Sequence, residues 1–486
     1  MAVRPVVGFD LDMTLVDSRA RIAGCLRQTL DEVGIQVTDE DVWPFIGPPL
    51  SQTLDALAPG HDHDALTFRY RTLHDSPEAP AVLPLPGAVD ALKAVRSYGG
   101  RTIVVSAKVT RAVQLVLQEA GLAEHVDRAA GGLFAEHKAE VLLEEGAGVY
   151  VGDHPGDVRA ARAADATAVA VATGPHDAAT LQETLPDVVL PDLVAFPAWL
   201  DRYVLDQRLA ALRENLRDLG SVLVAFSGGA DSALLLHAAV QALGPENVAA
   251  ATAVSHSLAT GELDDATQLA KDLGVRLLTP HTHEIDREGY RANAGDRCYF
   301  CKAELLETLR PLADELGLAH VVTGTNADDA VAGFRPGIRA AAERGARTPL
   351  LDAGLTKAQV RQASRDAGLA TWDKPAAACL SSRVAYGVEI TAHHLVRIDR
   401  AEGALRSMLT EAGFPVRDLR VRDLGDDRAR IEVDRTTLEA VGASAAGWGP
   451  VEGAVLDAGF TAVEVDPRGF RSGSMNEMLS DPDQYR

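Results

Sequence analysis

Short apolar runs rich in β-branched residues alternate with helical stretches twice along this chain of 486 residues. Strands that alternate with helices predict parallel sheets covered by helices on both faces. The first series begins with VVGFD, the second begins with SVLVAFS, and a long helix followed by alternating strands comes after residue 390. We therefore predict an α/β protein with two consecutive doubly wound parallel-sheet domains and a small C-terminal α+β domain. The predicted boundaries are residues 1–204, with an inserted helical cap at about 17–88, then 205–384 and 385–486.

Composition narrows the class of protein. A hydrophobic share of 47% with 24% charged residues is typical of a globular protein, and no apolar stretch approaches the length of a membrane span. The N-terminal MAVRP leads directly into a strand without a secretory signal, so we expect a cytoplasmic location and no membrane partner. A formal net charge of −23 disfavours nucleic acid as a partner.

Two aspartates follow the first predicted strand in the stretch 7-VGFDLDMTLVDS-18. Asp10 and Asp12 are two residues apart on an extended chain, so their side chains point to the same side. One carboxylate can attack phosphorus while the other protonates the leaving oxygen, and a divalent cation offsets the crowded negative charge. The pattern predicts phosphoryl chemistry at the carboxyl end of the sheet.

This stretch resembles the first motif, DxDxT, of the haloacid dehalogenase (HAD) superfamily. The other motifs follow in order, with Ser106 at the end of TIVVS, Lys138 in EHKAEV and 152-GDHPGD-157 after a strand. The segment 17–88 looks like the helical cap of phosphoglycolate phosphatases. The resemblance implies Asp10 as nucleophile, Asp12 as acid/base, Ser106 and Lys138 as phosphoryl-binding residues, and magnesium held among Asp10, Asp12, Asp153 and Asp157.

The stretch 222-VLVAFSGGADSALLLHAAV-240 runs from an apolar strand through a small-residue loop into a helix. Glycines allow backbone N–H groups to surround phosphate oxygens, and the helix N-terminus adds partial positive charge. The loop lacks the lysine of a Walker A motif and resembles the SGGxDS loop of the PP-loop ATP pyrophosphatases. That resemblance implies binding of ATP and magnesium by Ser227, Gly228, Gly229, Asp231 and Ser232.

Three of the four cysteines, Cys298, Cys301 and Cys379, fall within this second domain, whereas Cys25 lies in an apolar part of the cap and is expected to be a buried bystander. Three thiols cannot complete a four-cysteine zinc site, and a redox dithiol would leave Cys379 unexplained. A zinc site of three cysteines and one histidine stays open, although no histidine has zinc-finger spacing. Three thiolates can also hold a [4Fe-4S] cluster and leave one iron open to sulfide.

Residues 205 to about 480 resemble the LarE family of ATP-dependent sulfur transferases in several separate motifs. These motifs are TGTNADDAVAGFRPG at 323–337, TPLLDAGLTK at 348–357, TWDKPAAACLSSR at 371–383, RVRDLGDDRARIEV at 420–433 and GFRSGSMNE at 469–477. The resemblance implies adenylation of a carboxylate of a pyridinium dicarboxylate mononucleotide and its conversion to a thiocarboxylate. It also implies a sulfide or other sulfur donor, and assembly into a homo-oligomer.

Two forms of this chemistry are known for the family. In one form, three cysteines, which here would be Cys298, Cys301 and Cys379, hold a [4Fe-4S] cluster that relays sulfide repeatedly. In the other form, the cysteine that matches Cys379 gives up its own sulfur once. The CxxC favours the cluster, and we expect Arg297 and Lys302 to lower the thiol pKa values. Two other classes stay open, a tRNA-thiolating enzyme and a non-enzymatic metal or sulfide carrier.

Cationic side chains are needed for the substrate carboxylate and the departing pyrophosphate. Arg383 lies next to the cysteine loop, and Arg420 and Arg422 alternate on one face of a predicted strand. We expect all three to take part in catalysis. Asp328, Asp329 and Glu432 are candidates for holding magnesium or for orienting these arginines.

Overall fold

The computed structural model describes residues 4–331, 336–375, 378–471 and 474. Parts of the motifs at 323–337, 371–383 and 469–477 therefore lie outside the described residues. The described residues divide into two compact units, one up to Val204 and one from Leu205 onward. The division falls within helix Phe196–Leu219.

The first unit is built on a six-stranded sheet in which every neighbouring pair is parallel. The strands of the first unit, in chain order, are β1 (Val6–Phe9), β2 (Val16–Asp17), β3 (Leu83–Pro84), β4 (Arg101–Ser106), β5 (Arg128–Gly131), β6 (Val149–Gly152), β7 (Thr167–Val171) and β8 (Val188–Leu190). The order across the sheet is β5-β4-β1-β6-β7-β8, and β2 and β3 form a separate antiparallel pair. Strand β1 thus lies between β4 and β6. Because the three strands are parallel, Asp10, Ser106 and Asp153 all lie at the carboxyl end of the sheet.

Helices cover both faces of this sheet, and four of them form the cap. The cap helices are α1 (Arg19–Asp31), α2 (Asp39–Val42), α3 (Leu50–Leu57) and α4 (His63–His74). The others are α5 (Ala88–Ser97), α6 (Thr110–Glu119), α7 (Ala139–Glu145), α8 (Pro155–Ala163) and α9 (Ala178–Glu183), and the helix at the division is α10 (Phe196–Leu219). Separate apolar cores fill the two faces of the sheet and the interior of the cap.

The second unit contains a four-stranded parallel sheet in the order β11-β10-β9-β12. Its strands are β9 (Val222–Ala225), β10 (Val248–Ala251), β11 (Arg276–Leu278) and β12 (His320–Thr323). The helices around it are α11 (Ala230–Leu243), α12 (Glu262–Asp272), α13 (Glu288–Arg291), α14 (Arg297–Glu315), α15 (Ala327–Val331), α16 (Pro336–Glu343), α17 (Pro349–Asp352) and α18 (Lys357–Asp366).

A small α+β portion completes the second unit. It consists of α19 (Ala392–Glu411), β13 (Leu419–Asp423), β14 (Arg428–Val433), α20 (Arg435–Ala443), α21 (Gly449–Asp457) and β15 (Ala462–Val465). The central strand β14 pairs antiparallel with β13 and parallel with β15. The predicted fold class is confirmed, because two parallel α/β sheets and an α+β portion follow in the expected order. Among the described residues, no helix is both long and apolar enough to cross a membrane.

Candidate functional sites

The carboxyl ends of β1 and β6 bring three aspartates of the first unit together. Asp10 follows β1, Asp153 follows β6, and Asp157 lies in the first turn of α8. One carboxylate oxygen from each lies within 4.8 Å of the others, and all three residues are buried. Lys138 Nζ donates to Asp10 at 2.6 Å and to Asp157 at 2.7 Å, so one ammonium contacts two of the three carboxylates.

The electrostatics of this group fit a divalent cation. Burial raises the pKa of Asp10 to about 7, and burial together with the neighbouring carboxylates raises the pKa of Asp153 well above its ordinary value. Thr14 Oγ1 donates to one oxygen of Asp153 at 2.9 Å, whereas the buried Oδ2 has no hydrogen-bond partner in the described structure. Carboxylate oxygens are the ligands that magnesium prefers. Asp10, Asp153 and Asp157 therefore make a suitable magnesium site.

Asp12 does not belong to the group of Asp10, Asp153 and Asp157, because its carboxylate forms an ion pair with a lysine. Lys108 Nζ donates to its two oxygens at 2.8 and 2.7 Å. Burial alone would raise the pKa of Asp12, but Lys108 outweighs burial and the pKa is lowered. Ser106 is buried at the end of β4, and its Oγ accepts from the Lys108 backbone N–H at 3.3 Å. Lys108 was not predicted, although its position two residues after Ser106 at a strand end was a usable signal.

A cavity of about 300 Å³ lies between the cap helices and the Asp12 side of this site. Asp12 and Lys108 contribute its polar end, and Phe45, Pro49 and Tyr70 contribute apolar surface. A volume of this size suits a small molecule.

The glycine loop of the second unit joins β9 to α11, as predicted. Gly228 has a φ of +69°, which glycine adopts without strain. Ser232 Oγ donates to the Gly229 carbonyl at 3.1 Å and accepts from the Ser227 N–H at 3.3 Å, so the loop closes on the helix start. This places several backbone N–H groups at an N-terminus, an arrangement that binds phosphate groups.

Asp231 is held by two residues that sequence reasoning missed. Lys357 Nζ contacts its Oδ2 at 2.5 Å, and Asn326 Nδ2 donates to its Oδ1 at 3.0 Å. Asp329 Oδ2 accepts from the Asn326 N–H at 3.2 Å, and Asp328 Oδ2 accepts from the Lys357 N–H at 2.7 Å. Asp328 and Asp329 thus contact the residues that position Asp231.

One cavity of about 390 Å³ brings the loop and two of the cysteines together. Cys301 and Cys379 line it, whereas the exposed Cys298 does not. A buried carboxylate absent from the predictions, Glu284, also lines it and accepts from Ser255 at 2.6 Å and Ser257 at 2.8 Å. The other lining residues of interest are Ser227, Gly229, Asp231, Ser232, Lys302 and Asp329.

The expected lowering of the thiol pKa is wrong for Cys301. Burial raises its pKa above the ordinary range, Cys379 and Glu284 add to the effect, and Lys302 only partly offsets it. Arg297 is buried and donates to the Ser381 carbonyl at 2.9 Å, which ties α14 to the loop after Cys379. Burial opposes the charge on Arg297, but Cys379 and Cys298 raise its pKa. Cys298 and Cys301 lie in the first two turns of α14, and the Arg297 contact brings the segment that follows Cys379 to the same end of that helix. Cys25 is buried in the cap, as expected.

Buried ion pairs occupy two of the three predicted arginines. Arg383 contacts both oxygens of Glu402 at 3.0 and 3.1 Å and donates to the Cys379 carbonyl at 2.9 Å. Arg422 contacts Glu432 at 2.8 Å, so Glu432 orients an arginine. Glu402 was missed, because its distance of 19 residues from Arg383 carries no local signal.

Arg420 is the third arginine of this group. Burial lowers its pKa to about 10, and Arg383 and Arg422 contribute in the same direction. None of the three arginines lines the 390 Å³ cavity. The group is a cluster of arginines beside the cysteine loop, and the contact of Arg383 with the Cys379 carbonyl links it to the cavity.

Comparisons with known proteins match different families to the N-terminal and the C-terminal parts of the chain. Residues 7–171 match the family model of haloacid dehalogenase-like hydrolases, and residues 204–300 match the model of NAD synthase. An uncharacterized protein, slr1717, of Synechocystis is 41% identical over 277 residues, covering 57% of this chain and 100% of that protein. The pyridinium-3,5-bisthiocarboxylic acid mononucleotide synthase of Lactiplantibacillus plantarum is 35% identical over 271 residues, covering 56% of this chain and 94% of that protein.

The chain belongs to the LarE family of sulfurtransferases. It is an ATP-dependent enzyme of that family fused to a HAD-type phosphohydrolase unit, and the predicted resemblance is confirmed. Family membership also excludes the non-enzymatic carrier.

The HAD-type unit has relatives of its own. A phosphoglycolate phosphatase of Agrobacterium fabrum is 28% identical over 221 residues, covering 41% of this chain and 94% of that protein. A solved haloacid dehalogenase-like hydrolase from Streptococcus pneumoniae is 22% identical with a TM-score of 0.37, covering 41% of this chain and 97% of that chain.

Proposed function

We propose that the LarE-type unit adenylates a carboxylate of a pyridinium dicarboxylate mononucleotide and converts it to a thiocarboxylate. The observation that carries this proposal is the single cavity lined by the glycine loop, Cys301 and Cys379. An ATP-binding loop and thiols in one enclosure allow an activated carboxylate to meet sulfur without leaving the protein. The L. plantarum relative, a bisthiocarboxylic acid mononucleotide synthase, supports this substrate class.

The proposed reaction has two steps, adenylation of the carboxylate and transfer of sulfur. The backbone N–H groups from Ser227 to Gly229 and the start of α11 bind the pyrophosphate portion of ATP. A substrate carboxylate oxygen then bonds to the α-phosphorus, and pyrophosphate leaves. A sulfur nucleophile next attacks the activated carbonyl carbon, and AMP leaves. The cluster of Arg383, Arg420 and Arg422 attracts the anionic substrate.

The thiols of Cys298, Cys301 and Cys379 form a donor set that fits an iron–sulfur cluster. Cys298 and Cys301 are three residues apart on α14 and so lie on one face of that helix. A [4Fe-4S] cluster held by Cys298, Cys301 and Cys379 would supply an iron open to sulfide. Sacrifice of the Cys379 sulfur is the alternative, which the same cavity accommodates.

Turnover with ATP and the dicarboxylate mononucleotide tests the proposal. Asp231→Asn should abolish pyrophosphate release, whereas Cys379→Ala should retain pyrophosphate release and lose thiocarboxylate formation. Cys25→Ala is the matched control and should retain both activities. Pyrophosphate release from ATP without any thiocarboxylate product in the wild-type enzyme would refute the assignment.

Iron analysis after anaerobic purification, combined with the mass of the protein after turnover, separates the two sulfur sources. Bound iron with intact Cys379 supports the cluster. Loss of the elements of hydrogen sulfide from Cys379, with no iron present, supports sacrifice.

For the HAD-type unit we propose magnesium-dependent hydrolysis of a phosphate monoester. The carboxylate group of Asp10, Asp153 and Asp157 supports this proposal. Asp10 attacks phosphorus as the bond to the leaving oxygen breaks, and Asp12 passes a proton from the Lys108 ammonium to that oxygen. A water molecule then hydrolyses the aspartyl phosphate and gives a proton back to Asp12. Magnesium would offset the negative charge that gathers at the phosphoryl group.

Inorganic phosphate release from p-nitrophenyl phosphate tests this second activity. Asp10→Asn should remove it, whereas Asp90→Asn, at an exposed position of α5 in the same unit, should leave it unchanged. Equal activity of the Asp10→Asn and wild-type proteins would contradict the proposal.

A further inference from the structure

His74 ends the cap helix α4 and lines the 300 Å³ cavity together with Asp12 and Lys108. Its side chain is only 3% exposed. One ring nitrogen, Nδ1, lies 3.2 Å from Asp75 Oδ1, and the ring is stacked at a tilt on Tyr70 with 5.7 Å between centroids. The other nitrogen, Nε2, is buried and has no hydrogen-bond partner in the described part of the chain.

The Asp75 contact fixes which nitrogen carries the proton. A carboxylate oxygen only accepts, so the Nδ1–H of a neutral ring donates to Asp75 and Nε2 keeps its lone pair. Burial lowers the pKa of His74, and the nearby Lys108 ammonium acts in the same direction, which favours the neutral ring. The free nitrogen is therefore an acceptor, and a buried acceptor without a partner calls for a donor from a ligand or a water molecule.

The rest of the cavity does not offer a buried cation to the leaving group. Both oxygens of Asp12 already hold the Lys108 ammonium, and the other lining cation, Arg71, is exposed. Hydroxyl groups of Ser51 and Thr67 and apolar side chains make up much of the remaining wall. The buried part of the cavity thus suits a neutral, hydroxyl-bearing group better than a carboxylate.

We propose that His74 Nε2 accepts a hydrogen bond from a hydroxyl of the leaving group, so that the HAD-type unit prefers phosphate monoesters of hydroxyl-bearing alcohols. This inference rests on the proposed phosphatase activity of the same unit. Sugar phosphates and mononucleotides belong to the preferred class, whereas phosphoglycolate, whose leaving group carries a carboxylate, does not. His74 is on this view a specificity residue, and Asp75 is the residue that positions its ring.

The test compares three probes, ribose 5-phosphate, phosphoglycolate and p-nitrophenyl phosphate, the last of which has no hydroxyl to donate. The wild-type enzyme should hydrolyse ribose 5-phosphate with a higher kcat/KM than phosphoglycolate. His74→Phe keeps a ring against Tyr70 and removes the acceptor, so kcat/KM for ribose 5-phosphate should fall about tenfold or more, mainly through KM. Hydrolysis of p-nitrophenyl phosphate should stay unchanged, and the exposed His61→Phe should alter none of the three.

A second variant, Asp75→Ala, tests the same hydrogen bond if His74→Phe does not fold. Asp75→Ala releases Nδ1 and allows the tautomer with a proton on Nε2, so the preference should shift toward phosphoglycolate. The inference is overturned if His74→Phe lowers all three activities equally, if it alters none, or if the wild-type enzyme prefers phosphoglycolate. Absence of any Asp10-dependent hydrolysis of p-nitrophenyl phosphate would instead refute the phosphatase proposal itself, and the inference with it.

Discussion

At the scale of single residues, the arginine cluster differs from an ordinary surface ion pair because its partners are almost fully buried. Arg422 and Glu432 are 6% and 1% exposed at their side chains, and they join the strands β13 and β14. Removing one partner leaves an uncompensated buried charge, which is costly. Arg430 and Glu464 form a pair in the same sheet, but their side chains are 29% and 57% exposed.

We therefore predict unequal effects of two matched substitutions. Glu432→Gln should lower the free energy of unfolding by about 3 kcal/mol, because Arg422 loses its counter-charge in a buried site. Glu464→Gln should change it by less than about 1 kcal/mol, because water screens an exposed pair. Urea unfolding followed by tryptophan fluorescence and circular dichroism measures both, and equal effects would contradict the buried-charge argument.

The cysteines should also differ in reactivity in protein prepared without iron. The thiolate is the nucleophile, and burial raises the pKa of Cys301, whereas Cys298 is exposed. Timed alkylation with iodoacetamide near pH 8, read by peptide mass spectrometry, should label Cys298 at least about tenfold faster than Cys301. The difference should vanish in guanidinium chloride, and faster labelling of Cys301 in the folded protein would contradict the structure.

At the scale of elements, close backbone approach sets the geometry of the ATP-binding loop. A Cβ atom added at Gly324, just after β12, would lie 2.9 Å from the backbone nitrogen of Ser232 at the start of α11. Because a backbone atom cannot rotate away, Gly324→Ala must displace the helix start. We expect a loss of about 1–3 kcal/mol in stability and a raised KM for ATP.

Gly403→Ala is the matched control for this prediction. Gly403 lies within α19, and no atom outside its own neighbourhood lies within 4 Å of the added Cβ. Alanine should there stabilise the helix by about 0.5–1 kcal/mol and leave the KM for ATP unchanged. Thermal unfolding and ATP-dependent pyrophosphate release measure the two effects, and an unchanged KM in Gly324→Ala would refute the close-approach argument.

The separation of contacting residues along the chain explains which parts of the fold and of the sites the sequence predicts. Asp10, Asp12 and the SGGADS loop were recognisable because strand, loop and chemistry are contiguous in the chain. Gly324, Glu284 and Lys357 act through contacts with residues 27 to 126 positions away, for which a single sequence carries no signal. The expectation of a lowered thiol pKa was wrong for Cys301 for a related reason. Neighbouring cations are visible in DRCYFCK, but the burial of Cys301 is a property of the folded cavity.

At the scale of the whole molecule, each unit has its own sheet, its own apolar cores and its own set of charged residues. The cores of the first unit draw on residues up to Val204, and those of the second on residues from Leu205 onward. The phosphoryl-transfer aspartates all belong to the first unit, and the glycine loop and the cysteines beside it belong to the second. The sites share no residue, so inactivating one removes no group from the other.

We therefore predict that the two activities can be removed independently in the intact chain. Asp10→Asn should abolish phosphate release from p-nitrophenyl phosphate and leave ATP-dependent pyrophosphate release unchanged, and Asp231→Asn should do the reverse. The double variant should lack both activities while keeping the thermal unfolding profile of the single variants, which shows that chemistry and not folding was lost. A fall in pyrophosphate release in Asp10→Asn would contradict independence.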